Sequence, residues 1–207
     1  MYSWLLVFTA LALLFASSFS SALAQGGRWV IDRQRSSVVF SVKHLMVASV
    51  SGKFSSFGGT VDYDGADLSR AKIDAVIDSK SIDTGNKMRD DHLRADDVLS
   101  VAKYPKIAFV SRKITPLKGG RFSIIGDLSM HGKKQEVVLS AAPLKMGGAK
   151  GGGKQRIIAH ATAVVPRKDF DVYVDRAIDK GGAVVGEKVK VDLNIELVEE
   201  AGEPGGK

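Results

Sequence analysis

The segment SIDTGNKMRDDHLRAD, residues 81–96, gathers most of the side chains in this chain that could do acid–base or ligand chemistry: Arg89, Asp90, Asp91, His92, Arg94 and Asp96. Such a cluster has two readings. Converging carboxylates and a histidine can move protons or hold a metal ion. Alternatively, charged groups on a short helical excursion can fasten that excursion to its neighbours. The spacing favours the second. The histidines, His44, His92, His131 and His160, show neither the i, i+4 nor the His-x-His spacing common in zinc sites. No Gly-x-Ser-x-Gly and no phosphate loop is present. His131 sits in a Met-His-Gly turn, and His160 falls opposite an alanine face, which points it outward.

Arg89 and Asp90 are adjacent and cannot face each other within a helix. They are expected to reach different partners, either backbone or Arg167 and Asp169, while His92 donates to a strand carbonyl. In this reading His44, Arg89, Asp90, His92, Arg167 and Asp169 form a clamp at one end of the fold. A compatible reading places Arg89 and His44 at the mouth of a cavity, where a guanidinium could grip an anionic headgroup. Distant residues can still meet in space, so a metal-assisted enzyme using His44, His92 and nearby acids stays as an alternative.

The elements that must position these residues are strands. In VKVDLNIEL, residues 189–197, apolar and polar side chains alternate, as on a strand with one dry and one wet face. The same period places Val38, Phe40 and Val42 together, and likewise Ile73, Ala75 and Ile77. It also pairs Ile107 with Phe109, groups Phe122, Ile124 and Leu128, aligns Ala159, Ala161 and Ala163, and sets Leu193 beside Ile195. Residues 47–54 and 57–63 read as two weaker strands parted by a short turn. Asp64-Gly65, Gly119-Gly120, His131-Gly132 and Gly181-Gly182 supply turns. Residues 145–154 read as a long flexible loop, and 201–207 as a disordered tail. Only 84–101 resists the strand pattern; it reads as a short helix capped by Asp83 or Thr84.

About eight antiparallel strands, each with one apolar face, must close into a sandwich or a barrel to bury those faces. The inward positions include Ala75, Gly126, Ala159, Ala161 and Ala163. A barrel lined by small residues can keep an apolar cavity.

Residues 1–24 carry an apolar run, then Ser-rich sequence and Ala22-Leu23-Ala24, although no Lys or Arg precedes the run. That order reads as a secretory signal cleaved after Ala24. One domain, 25–200, is expected to follow. The chain has no cysteine, which excludes disulfides, thiol chemistry and cysteine metal sites. The net charge of +7 lies entirely outside residues 1–24; in an exported protein it favours transient contact with anionic lipid headgroups over nucleic acid.

The blocks VVFSVKH (38–44), GKFSSFGG (52–59), SIDTGNKMRDDHL (81–93), KYPKIAF (103–109), GDLSMHG (126–132) and RKDF (167–170) occur in order. With them the chain resembles the YceI-like family from about Trp29 to Leu197. The resemblance implies an elongated, lipocalin-like antiparallel barrel that binds a long isoprenoid or similar lipid in its lumen, in the bacterial periplasm. Two positions depart from the family pattern: Val98-Leu99 stands where an aromatic is usual, and Asp171 where glycine is usual.

The sequence therefore predicts a non-catalytic lipid-binding protein without cofactor or metal. Its lumen is expected to be lined by Val38, Phe40, Val42, Ile73, Ala75, Ile77, Ile107, Phe109, Phe122, Ile124, Leu128, Ala159, Ala161, Ala163, Leu193 and Ile195. A ligand-free, stress-related interaction protein is the other alternative, and a homodimer stays open.

Overall fold

A computed structural model describes residues 27–44, 48–147, 155–174 and 185–200. The strands are β1 (Gly27–Ile31), β2 (Ser37–His44), β3 (Ala48–Phe54), β4 (Phe57–Tyr63), β5 (Lys72–Asp78), β6 (Ile82–Asp83), β7 (Lys106–Pro116), β8 (Phe122–Met130), β9 (Lys133–Ala141), β10 (Lys145–Gly147), β11 (Arg156–Pro166) and β12 (Val185–Glu199). One α-helix, α1 (Lys87–Arg94), lies between β6 and β7.

These strands form a closed antiparallel barrel of eight staves, three of them bent. β1 and β2 make one stave, β3 and β4 the next, β5 and β6 the third. β7, β8, β9, β11 and β12 follow in chain order. Closure comes from β12, which pairs with β11 from Arg156↔Val198 to Pro166↔Lys188 on one edge and with β2 and β1 on the other. A closed wall leaves no open sheet edge for another chain to join.

The two weaker strands around Ser55-Ser56 do not reverse direction there, as a turn would require. β3 and β4 both run antiparallel to the β1–β2 stave, so the serines mark a bend within one stave. Residues 145–154 are not loop throughout, because β10 pairs with Arg156–Ile158 of β11. The rest of that stretch, Gly181-Gly182, the 1–24 segment and the 201–207 tail lie outside the described residues.

The turn chemistry is visible in the backbone. His131 (φ 51°) and Gly132 (φ 75°) form a two-residue hairpin loop between Met130 and Lys133, with both residues left-handed as a type I′ turn requires. At the β4–β5 connection, Asp64 accepts from the N–H groups of Ala66 (3.0 Å) and Asp67 (3.1 Å). At the β1–β2 bend, Arg156 donates to Asp32 at 3.2 Å and also to Glu196, tying three staves together on the outer face.

The buried side chains fall in three groups along the barrel, in the order in which β11 meets them. Ile157 packs with Trp29 and Leu197 at one end. Ala161 and Ala163 pack with Leu139 and Ala141 at mid-height. Val165 joins Ile82, Val98, Leu99, Val137, Phe170 and Val172 at the end that α1 covers.

Candidate functional site: an apolar lumen and its clamp

Inward side chains enclose a cavity of about 370 Å³, within the range of roughly 300–1,000 Å³ common for small-molecule sites. Each of the side chains expected in the lumen, from Val38 to Ile195, stands on its wall. Two features of the wall were not legible in the alternation. β7 carries a bulge between Ser111 and Lys113, which shifts the phase and turns Ile114 inward. Glycines seat aromatic rings: a Cβ on Gly126 would lie 2.5 Å from the Phe109 ring, and one on Gly52 would lie 2.4 Å from the Phe40 ring. Gly126 thus makes room for Phe109 rather than for a ligand. Phe40 in turn lies 5.5 Å from Phe54. The open width at mid-height comes from the alanines.

Val98 and Leu99, where the family usually has an aromatic, are both buried and both line the cavity. Asp171 adopts φ 57°, the left-handed conformation that glycine favours, and its carboxylate lies 3.1 Å from Lys133 Nζ. The turn is therefore kept without glycine.

Arg167 is the one charged residue among the described lining residues, and it is 3% exposed. Its Nε donates to Gly186 O (3.0 Å), Nη1 to Val172 O (2.9 Å) and Nη2 to Val185 O (2.9 Å). A guanidinium held this way closes the chain around the end of β11 and the start of β12. Asp169, three residues from a buried phenylalanine-bearing wall position, is exposed; its carbonyl accepts from Gln135 Nε2 at 3.1 Å. His131 Nδ1 lies 3.0 Å from Phe170 O and its ring meets Tyr104 edge-on.

The 81–96 cluster is a clamp, but its members differ from expectation. Asn86, not Asp83 or Thr84, caps α1 by accepting from Arg89 N–H at 3.1 Å. Asp90, 6% exposed, accepts from the N–H and hydroxyl of Thr84. Arg89 donates to the same threonine, to Oγ1 at 2.7 Å and to the carbonyl at 2.9 Å. Neither residue reaches Arg167 or Asp169, because the Thr84 bend lies closer to the helix start. Arg94, which the expected clamp omitted, donates to Ile82 O (2.5 Å) and Lys80 O (2.9 Å) and pins the helix to the β5–β6 stave. His92 does not donate to a strand carbonyl: it is exposed, with Nε2 3.8 Å from Asp97. Arg89 does not stand on the cavity wall, so it offers no headgroup contact inside the lumen. Only the backbone of His44 is described, paired with Ala48 and Val185. His160 points outward as expected, 3.1 Å from Asp192. Among the described residues, no group of three or more His, Asp or Glu side chains is placed to hold a metal ion.

Residues 29–197 match the model of the YceI-like domain. A UPF0312 protein of Shewanella denitrificans is 33% identical over 191 residues, spanning 91% of this chain and 96% of the relative. Among solved structures, Burkholderia cenocepacia BcnA has the same fold (TM-score 0.71, 24% identity, 80% of this chain and 98% of that one). So does a polyisoprenoid binding domain from Saccharophagus degradans (TM-score 0.62, 15% identity, 83% and 98%). The chain belongs to the YceI-like domain family.

Proposed function

We propose that this protein is a non-catalytic carrier that holds a long-chain isoprenoid or similar amphiphilic lipid in its lumen, for transport, storage or sequestration. The observation that supports this best is the lumen itself, whose described wall is apolar apart from Arg167 and Tyr63. Each CH₂ moved from water into such a wall contributes about 0.8 kcal/mol, offset in part by the cost of ordering a flexible chain. The polyisoprenoid-binding neighbour with the same fold adds to the reading. Export to the periplasm after removal of residues 1–24 is part of the proposal, motivated by the order of that segment. The net charge of +7 suits a transient encounter with an anionic membrane surface.

The wall also suggests how the ligand is chosen. Arg167 is occupied by carbonyls, and no buried side-chain N or O among the described residues lacks a hydrogen-bond partner. A polar head drawn inside would lose its water and find no replacement. Selection then rests on the tail, with the head left outside.

Mass spectrometry of organic extracts from the native protein is the test. A co-purifying long-chain lipid is expected. Delipidated protein should reload a polyprenol and the matching polyprenyl phosphate with similar affinity. Protein that neither carries nor reloads any long-chain molecule would overturn the proposal.

A further inference from the structure

We propose that the seam between β9 and β11 is a lateral port through which the hydrocarbon tail enters and leaves the lumen; this rests on the lipid-carrier reading above. Both ends of the barrel are plugged by buried side chains: Trp29, Ile157 and Leu197 at one, Val98 and Phe170 at the other. A tail must therefore pass either a plug or a seam.

The seams are not equal. β8 and β9 pair along the whole of both strands, and β11 and β12 pair along all of β11. β9 and β11 pair only where Leu139–Ala141 meets Ala161–Ala163. Toward the α1 end, side-chain bonds replace the ladder: Gln135 Nε2 to Asp169 O at 3.1 Å, and His131 Nδ1 to Phe170 O at 3.0 Å. Toward the other end, the 2.9 Å bond from Ala142 N–H to His160 O leads into the short strand β10.

The side chains on both faces suit a passage. Inside, Ala141, Ala161 and Ala163 offer methyl groups that do not interlock, so parting them exposes little apolar surface. Outside, one register step past the Leu139–Ala163 pair, stand Val138 and Val164, which are 50% and 52% exposed. Elsewhere the outer faces of β9 and β11 carry polar neighbours such as Glu136, Ser140, His160 and Thr162. Two exposed valines astride the shortest ladder form apolar lips that continue to the apolar lumen. Local opening of a short ladder is a low-cost fluctuation compared with unfolding.

The absence of cysteine makes a clean test possible. Ser140 and Thr162 are exposed partners across the seam, at the spacing a disulfide between antiparallel strands can bridge. Ser140→Cys/Thr162→Cys should slow uptake of N-phenyl-1-naphthylamine by delipidated protein at least tenfold when oxidised, and recover on reduction. Thr115→Cys/Ser123→Cys, across the β7–β8 seam, should load at the wild-type rate in both redox states. Should the seam variant fold poorly even when reduced, Val138→Asn/Val164→Asn alters only exposed lips and should slow uptake several-fold. An oxidised seam variant, or the lip variant in its place, that loads as fast as wild type overturns the port alone. Wild-type protein that takes up no probe overturns the lipid-carrier reading and the port with it.

Discussion

Thr84 gives both its backbone N–H and its hydroxyl to one carboxylate oxygen of Asp90, at 2.9 and 2.5 Å. The same hydroxyl oxygen accepts from Arg89 Nε at 2.7 Å. Guanidinium, hydroxyl and carboxylate thus form a relay in which two adjacent, oppositely charged residues are joined through a third. Asp90 also sits in the first turn of α1, where a negative charge meets the positive end of the helix.

This geometry predicts that Asp90→Ala destabilises the fold by about 1.5–3 kcal/mol, the range for hydrogen bonds to a charged group. Thr84→Val should cost a comparable amount, and the double variant less than the sum, because both remove the same bonds. Met88→Ala, on the same helix but 84% exposed, should change stability by less than about 0.5 kcal/mol. Urea unfolding of the four proteins would check this. An Asp90→Ala curve that overlays the wild type would show that the relay contributes nothing.

The wall was legible because a half-buried strand writes its two faces into alternate residues. Val38, Phe40 and Val42 needed only that rule. Ile114 did not follow it, since a bulge adds one residue without any mark in the composition. The clamp was legible as a place but not as a set of pairs. Asp90 and Arg89 meet at Thr84 because the chain bends after β6, and nothing in the spacing of charges reports a bend. Arg167 could be seen as a charge in a motif; that it would turn onto the carbonyls of Val172, Val185 and Gly186 depends on a segment returning from 18 residues further on.

Gly126→Ala is predicted to destabilise by about 1–3 kcal/mol, the usual cost of overpacking. The new methyl would lie 2.5 Å from Val110 O as well as from the Phe109 ring, and backbone cannot rotate away. Gly58→Ala, where nothing lies within 4 Å of the added Cβ, should be neutral or stabilise by up to about 1 kcal/mol through the unfolded chain. Thermal melts of the two variants give the comparison, and equal effects would contradict the ring-seat account.

Acid sensitivity should begin below the ordinary carboxylate range. The N–H groups of Ala66 and Asp67, aided by Arg70, hold Asp64 below its ordinary value of 3.8. Lys87, with Arg94, does the same for Asp91. A depressed folded pKa means that the stabilisation is complete above the unfolded value and is lost as pH falls through the folded one. Bonds from Arg156 to Glu196 and Asp32 raise the arginine pKa, so that contribution persists throughout the acid and neutral range. These groups therefore predict a stability plateau from about pH 5 to 9 and a decline below about pH 4. Asp64→Asn should narrow the gap between urea midpoints measured at pH 7 and pH 3. An unchanged gap would place the acid decline elsewhere.

Ala161 is the position where the lumen is most easily closed. It lies at mid-height on β11, its neighbours across the ladders are Ala141 and Leu193, and it is buried against Leu139 and Ala163. A phenyl ring there points across the widest part of the lumen and takes space that a hydrocarbon tail would need. Ala161→Phe is expected to cost about 1–3 kcal/mol of stability if the ring strains its neighbours, and less if it fills open space. In either case the fold should persist, since the barrel ladders do not involve the side chain. Lipid recovered from the purified variant should fall at least tenfold relative to wild type, read by mass spectrometry of organic extracts. Thr115→Phe, which adds the same ring to the outer face of β7, should leave the lipid load unchanged. If Ala161→Phe carries as much lipid as the wild type, the tail does not occupy the middle of the lumen.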